Sequence, residues 1–387
     1  MRDVTYRYSA LERVVLGKPA AEAVAAEVER LGRRRVFVVT SRSVAASAPL
    51  AAIVAALGGR CAGVYAEVSA HGPRECVIAG AAAARAAEPD LLLAVGGGSA
   101  IDAAKVMLLC LRLGLTRADQ LDSHRGFSTS DPSVRPADEA RWLRLVAVPT
   151  TLSAAEFTWF GGAYDSARRV KDPYGYPLMA PQAIILDPAA TVATPLPLFL
   201  STGMKAVDHA AERLASLVAE PLTEALSMQA LRLLSGALPR VRKDPSDLQA
   251  RLDCQTGMAI AMAGPGAGVG VGASHAIGHV LGGHSGVPHG ETSCVLLAAV
   301  MRWNRPANEN RQKLISEALG KSDLDAGAGM TALVAELGLP QRLRDVGVQR
   351  EDFPAIAAKV LEDFAIRANP RPVTAPEQIL EILDLAW

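Results

Sequence analysis

The run Leu91-Leu92-Leu93-Ala94-Val95 passes without a polar break into Gly96-Gly97-Gly98-Ser99, and the chain resumes as the helix-forming stretch Ala100-Ile101-Asp102-Ala103-Ala104-Lys105. An uninterrupted apolar run of strand length is what a β-strand buried on both faces requires, and such strands belong to parallel sheets covered by helices. Three consecutive glycines between strand and helix let the backbone come close to a ligand, while the start of the helix offers N–H groups to an anion. A tight strand-to-helix turn needs glycine too, but three glycines followed by Ser99 favour a bound pyrophosphate. The G-x-G-x-x-G dinucleotide fingerprint is absent at this point.

The flanking sequence repeats the alternation. Residues 21–32 place apolar side chains at helical spacing and stop on Gly32, and Arg35–Thr40 is a second continuous β-branched and aromatic run. Ser41-Arg42-Ser43 opens another helix, a further one is expected over Arg74–Glu88, and the polar text from Leu113 to Arg141 reads as an excursion or loop. Leu143–Thr151 is the next strand; its hydroxyl-bearing end falls at the edge of a parallel sheet where ligands bind. Ala183–Pro188 reads as the last strand of this half. Trp159, Phe160 and Tyr164 follow the Thr-Thr segment, where a ligand contact is open to them although an aromatic cluster is more often core.

Beyond about residue 190 the strands cease. Helices are expected over 201–218, 221–240, 248–263, 332–337, 352–367 and 375–387, with Gly264-Pro265-Gly266-Ala267-Gly268 as a break before a helix carrying His275. The division is therefore an α/β nucleotide domain over residues 1–190 and an all-helical domain over 191–387.

The helical half holds five of the chain's seven histidines. His209 follows Lys205 by one helical turn, His275 and His279 are likewise four apart, and His289 comes after the glycine-rich turn expected at Leu281-Gly282-Gly283-His284-Ser285-Gly286. Imidazoles projecting from helices at this spacing can converge on a divalent ion. Lys205 opposes that, because a cation one turn from His209 repels a metal and lowers the proton affinity of neighbouring imidazoles. The residues by themselves describe a polar catalytic pocket in which a metal is disfavoured.

Composition excludes some classes of partner. Lys plus Arg and Asp plus Glu number 40 each, so no charge excess favours nucleic acid or an anionic membrane. No apolar run reaches membrane-spanning length and the N-terminal residues lack the apolar core of a signal peptide, which makes the cytoplasm the expected compartment. Cys61, Cys76, Cys110, Cys254 and Cys294 are dispersed, never in a C-x-x-C pair, and are expected as buried thiols.

Gly96-Gly97-Gly98-Ser99 with Asp102 and Lys105, Pro149-Thr150-Thr151, and the spaced histidines together resemble the iron-containing (group III) alcohol dehydrogenases, with a more distant likeness to dehydroquinate synthase and glycerol dehydrogenase. The resemblance spans nearly the whole chain. The strings His275-Ala276-Ile277-Gly278-His279-Val280-Leu281-Gly282-Gly283, Pro288-His289-Gly290-Glu291-Thr292 and Ala368-Asn369-Pro370-Arg371-Pro372-Val373 are most similar to maleylacetate reductases.

The resemblance implies a Rossmann-like domain binding NAD(P), a helical domain carrying substrate, and a homodimer. In metal-dependent members Fe or Zn is held by one Asp and three His. The histidine positions correspond to His209, His275 and His289, with His279 matching a histidine near the nicotinamide and substrate. The aspartate position corresponds to Lys205, which departs from those members and from the asparagine of the maleylacetate reductases. On this likeness Gly96, Gly97, Gly98 and Ser99 hold the pyrophosphate, Thr150, Thr151 and Ser153 the nicotinamide side, and Lys171 the ribose, with Asp102 beside them. Ser41 stands where NAD-preferring relatives have an Asp, and with Arg42 it allows NADPH as well as NADH. The activity expected is metal-independent NAD(P)H-dependent reduction of a small oxo compound, with Lys205 polarising the substrate and one of the histidines delivering a proton. The rival is a lyase, cyclase or isomerase on the same scaffold that uses Lys205 and the histidine cluster.

Overall fold

The computed structural model describes residues 4–129, 131–262 and 268–387, so most of the break expected at 264–268 lies outside the described residues. The chain divides into two compact units: Arg7–Thr194, and Pro195–Trp387 together with the segment ending at Tyr6.

The first unit is a six-stranded parallel sheet. Its strands are β1 (Arg13–Leu16), β2 (Val36–Val39), β3 (Cys61–Tyr65), β4 (Leu91–Gly96), β6 (Leu145–Pro149) and β9 (Ala183–Leu186), in the order β1-β9-β6-β4-β2-β3. The apolar run that opened the sequence is the centre of it. Alternate residues of β4 face opposite cores: Leu92 and Ala94 pack with α4 (Arg74–Ala87) and α5 (Gly98–Leu113), Leu91, Leu93 and Val95 with α1 (Ala20–Arg30) and α3 (Ala48–Leu57). Each leucine so buried contributes about 1.5–3 kcal/mol. The short helix α2 (Arg42–Ala45) precedes α3. Strands β1 and β3 went unread in the sequence; both are short and only partly buried, so neither shows a continuous apolar run.

A second sheet of three strands, β5 (Gly126–Phe127), β7 (Phe160–Asp165) and β8 (Val170–Gly175), was also unread. Arg74 anchors it, pairing with Asp165 at 2.9 Å and with Asp172, while Phe127, Trp159 and Phe160 form an aromatic cluster. The β5 strand and two 3₁₀ turns, Ala118–His124 and Glu139–Arg141, occupy the stretch expected as a loop. The side chain of Lys105, fully buried in α5, holds the segment after β6. Its Nζ lies 2.5–3.0 Å from the carbonyl oxygens of Ala155, Thr158 and Phe160, and burial pushes it down to about 8.

The second unit contains α6 (Leu196–Ala215), α7 (Pro221–Lys243), α8 (Leu248–Ala261), α9 (Ala273–His284), α10 (His289–Ala318), α11 (Ala326–Glu336), α12 (Phe353–Val360) and α13 (Pro376–Leu385). No strand is found beyond Leu186 among the described residues. Three boundaries differ from expectation for physical reasons. Helix α6 starts five residues before 201, because Pro197 sits in the first turn, where proline costs no hydrogen bond. Gly282 and Gly283 continue α9 instead of forming a turn: buried Leu281 holds the last turn in place, and the chain leaves at Gly286, whose φ of 67° is the left-handed value glycine permits. The helix expected over 352–367 breaks after α12, where Asp363 accepts the N–H of Ala365 and caps a new 3₁₀ turn, Phe364–Ala368.

All five cysteines are free. Cys110, Cys254 and Cys294 are buried, whereas Cys61 and Cys76 are partly exposed, at variance with the expectation of burial. No helix among the described residues is long and apolar enough to cross a membrane.

One buried group supplies a test of the first unit. Glu156 is 1% exposed, neither carboxyl oxygen has a hydrogen-bond partner, and burial pushes its pKa up from 4.5 to about 7. A raised folded-state value means that the native chain holds the proton more tightly, so its stabilisation is complete below pH 4.5 and lost as pH rises towards 7. Thermal unfolding of Glu156→Gln should lack that fall, which in the native chain is at most about 1.4 kcal/mol per pH unit between those limits. Equal pH slopes in both proteins would contradict the assignment.

Candidate active site

At the C-terminal edge of the parallel sheet, β4 delivers Gly96 with φ 150° and Gly97 as the residue preceding α5. A Cβ on Gly98 would lie 2.9 Å from Ser153 Oγ, and one on Gly97 3.1 Å from Thr151 Cγ2. The glycines are therefore needed for the loop to lie against the end of β6. Thr150 N–H donates to Gly96 O at 3.0 Å and Thr40 Oγ1 to Val95 O at 2.7 Å, fixing the two neighbouring strand ends around the loop. Thr151 Oγ1 is buried without a hydrogen-bond partner. A loop with close backbone approach, a helix start and an unpaired hydroxyl suits a dinucleotide pyrophosphate.

The remaining cofactor candidates lie on the same unit. Lys171 Nζ donates to Asp102 Oδ2 at 2.7 Å, and Ser41 Oγ lies 3.1 Å from Ser43 Oγ. Arg42 is ion-paired with Glu67, a residue to which nothing in the sequence drew attention because it follows the weakly patterned β3. Ser41, Arg42, Ser43, Glu67 and Ser69 line a cavity of about 460 Å³.

The histidine cluster is built on α6. Lys205, Asp208, His209 and Glu212 stand at i, i+3, i+4 and i+7, so one stripe carries all four. Lys205, Asp208 and Glu212 are buried, and so is Arg213. Glu212 accepts the N–H groups of Gly272 (2.7 Å) and Ser274 (2.8 Å) at the start of α9, and Nδ1–H of His275 at 2.7 Å. A carboxylate at a helix N-terminus satisfies orphan donors and meets the positive end of the dipole. Asp208 Oδ2 accepts the hydroxyls of Ser274 (2.8 Å) and Ser293 (2.7 Å) and lies 3.6 Å from His275 Nδ1. Since Glu212 can only accept when ionised, Nδ1 of His275 carries the proton and Nε2 keeps its lone pair.

Three buried nitrogens of this cluster have no hydrogen-bond partner: Lys205 Nζ and His209 Nδ1 on α6 and His275 Nε2 on α9. The His209 and His275 rings are 4.6 Å apart, His275 and His279 6.3 Å, and His279 stacks on His289 at 5.5 Å with 10° between planes. The four histidines thus form one continuous row. Gly290 allows this, because a Cβ there would come within 2.8 Å of the Ser201 carbonyl carbon; its absence brings the start of α10, with His289, against α6. His279 Nδ1 bonds Asp363 Oδ2 at 2.9 Å.

Burial dominates the electrostatics. It lowers Lys205 from its ordinary 10.5, with Asp208 and Glu212 opposing, and holds His209 and His275 well below 6.5, with Arg213 and Lys205 adding to the effect. Glu212 is pushed up to about 8 and Asp208 is also raised, both by burial first. The cluster consequently presents neutral imidazoles beside an amine and carboxyls whose charged forms burial disfavours and their mutual attraction supports. Lys205 and the four histidines were legible from spacing. Asp208, Glu212 and Asp363 were not assigned roles, although Glu212 stands seven residues from Lys205 and so on its face.

A glycine loop suited to a dinucleotide in one unit and a histidine cluster in the other are the pattern expected of a pyridine-nucleotide oxidoreductase. Residues 12–188 match the family described as iron-containing alcohol dehydrogenase, and residues 199–387 the C-terminal domain of the Fe-containing alcohol dehydrogenase family. Dehydrogenase ALT3 of Alternaria alternata is 30% identical over 91% of this chain and 98% of its own length. Maleylacetate reductase 1 of Cupriavidus pinatubonensis is 29% identical over 93% of this chain and 91% of its own. The crystal structure of maleylacetate reductase from Agrobacterium tumefaciens superposes with a TM-score of 0.83 at 27% identity, covering 100% of this chain and 99% of that one. The chain belongs to the iron-containing alcohol dehydrogenase family, and it is an oxidoreductase, an NAD(P)H-dependent reductase or dehydrogenase.

Replacing Glu212 by Ala leaves two α9 N–H groups and His275 Nδ1 without acceptors in a buried setting. Unpaired buried donors cost about 1–3 kcal/mol each, so chemical denaturation of Glu212→Ala should show a loss of at least about 2 kcal/mol. A loss below about 0.5 kcal/mol would mean that the carboxylate does not bridge the helices.

Proposed function

We propose that this chain is a metal-independent, NAD(P)H-dependent reductase of a small oxo compound, similar in reaction to the maleylacetate reductases it resembles. The observation that carries the reading is the amine of Lys205, enclosed beside His209 and His275 with no hydrogen-bond partner. It stands at the position where the resemblance puts a metal-binding aspartate.

The donor set argues against a resident divalent ion. Putting Lys in place of Asp changes the site by two charges, and at about 4 Å, with an effective dielectric of about 20, each charge pair is about 4 kcal/mol. One group of three side chains among the described residues, Asp208, Glu212 and His275, has ligand atoms within 4.8 Å of one another. Its atoms are already engaged: the 2.7 Å contact between Glu212 and His275 is a hydrogen bond, Glu212 also caps α9, and Asp208 Oδ2 holds two serine hydroxyls. An ion there would have to displace all of these with Lys205 and Arg213 close by.

The glycine loop and the hydroxyls of Thr150, Thr151 and Ser153 suit the cofactor, and a bound reduced nicotinamide supplies hydride. Lys205 donates a hydrogen bond to the substrate's carbonyl oxygen and stabilises the negative charge that develops on it, the electrostatic task a metal performs in relatives that have one. A histidine of the cluster then delivers a proton to that oxygen.

Two measurements test this. Elemental analysis of the purified protein should find less than about 0.1 Fe or Zn per chain, and activity should survive chelation; a stoichiometric, chelator-sensitive metal would refute the charge argument. With maleylacetate and NADH or NADPH, Lys205→Ala should lower turnover at least about tenfold, roughly 1.4 kcal/mol of barrier. Unchanged turnover would remove Lys205 from the chemistry. Product formed without loss of the reduced cofactor's near-ultraviolet absorbance would instead mark a lyase, cyclase or isomerase working through the Lys205 amine.

A further inference from the structure

The four histidines of the row are not equivalent in their access to water. His275 is only 3% exposed and its Nε2 is buried, whereas His209 is partly exposed with a buried Nδ1, and His289 is exposed. The His279 side chain is 30% exposed and is backed by Asp363, which is 14% exposed. The Asp363 carboxyl is itself anchored. Oδ2 accepts Nδ1–H of His279 at 2.9 Å, and Oδ1 accepts the N–H of Ala365 at 2.8 Å, locking the side chain to the 3₁₀ turn it caps. The imidazole also contacts two rings, stacking on His289 at 5.5 Å and lying tilted against Phe364, the residue after Asp363, at 5.7 Å. A ring packed against two others and bonded at Nδ1 has one nitrogen left for chemistry, Nε2.

We infer that Asp363 is a positioning residue which fixes the tautomer and ring orientation of His279, making His279 the histidine that exchanges the reaction's proton with solvent. This rests on the reductase reading above and adds which histidine acts and what holds it. In the direction of reduction, hydride from the nicotinamide would form the new C–H bond at the carbonyl carbon or, in an enone such as maleylacetate, at the conjugated alkene carbon, and the displaced π pair would become the lone pair of an alkoxide or enolate oxygen. The Nε2–H bond of His279 breaks as the O–H bond forms, and water returns the proton to Nε2. Nδ1–H stays on the ring throughout, held by the Asp363 carboxylate, as a carboxylate holds imidazole in other proton-transferring dyads. Sealed within the helices, His275 contributes electrostatics and shape instead.

The test combines a readout that needs no turnover with one that does. In the unliganded protein at pH 8.5, ¹⁵N chemical shifts should show His279 as the Nδ1–H tautomer, and Asp363→Asn should convert it wholly or partly to Nε2–H. With maleylacetate and NADH, Asp363→Asn should lower kcat at least about tenfold with KM within about threefold, and Asp363→Glu should restore part of the loss. In a His279→Ala background the same Asn substitution should add less than about twofold, because a residue acting only through His279 has nothing left to act on. Equal kcat losses in both backgrounds, an unchanged kcat in Asp363→Asn, or an Nε2–H tautomer in the native protein would overturn the inference. Should the native enzyme fail to oxidise NADH with this substrate, the reductase reading would fall on that result, and the tautomer measurement would still decide whether Asp363 positions His279.

Discussion

Glu212 joins the two helices on which the histidine cluster depends. Its carboxyl, carried by α6, takes up two backbone N–H groups at the start of α9 and the Nδ1–H of His275. One side chain thereby fixes the origin of a helix, the orientation of an imidazole and the tautomer that leaves Nε2 with its lone pair. Burying a carboxyl is expensive, and the raised pKa of Glu212, about 8, is the visible trace of that expense. Three directed hydrogen bonds are what make the burial tolerable. Asp208 repeats the arrangement on a smaller scale, ordering Ser274 of α9 and Ser293 of α10 around the same helix.

On the function proposed, the position of Lys205 sets the chemistry. With Lys205 and Arg213 against Asp208 and Glu212, the buried stripe is neutral when all four are ionised, so no surplus negative charge remains to hold a divalent ion. Carboxylates that hold a histidine's far nitrogen are also how metal sites orient their ligands, and the Glu212–His275 pair is such an arrangement. The reading that follows is of a scaffold that keeps the histidine geometry of its family and assigns the electrophile's task to an ammonium group.

The sheet was legible because its central strands are buried on both faces: β2, β4, β6 and β9 are apolar throughout, and short runs of that kind between glycines and turns suit little besides a strand covered by helices on both sides. Strands β1, β3, β7 and β8 were hidden for the converse reason, since half-exposed strands interrupt their apolar pattern with polar residues and glycine. In the cluster, helical spacing revealed which residues share a face, as with Lys205 and His209. It could not reveal contacts between helices, so Glu212 holding His275 and Asp363 holding His279, 63 and 84 residues apart, had to await the fold. Lys105 was visible only as part of a resembling motif, its role as a buried clamp on the segment after β6 being long-range in the same sense.

The most direct measurement is a crystal structure with an oxo-acid substrate or its reduced product and NAD(P), with anomalous data collected across the iron and zinc edges. The account predicts the substrate's carbonyl or hydroxyl oxygen within hydrogen-bond reach of Lys205 Nζ, roughly 2.6–3.2 Å, and no anomalous peak among His209, His275 and His289. A coordinated cation between those imidazoles, with the amine of Lys205 turned away from it, would contradict it.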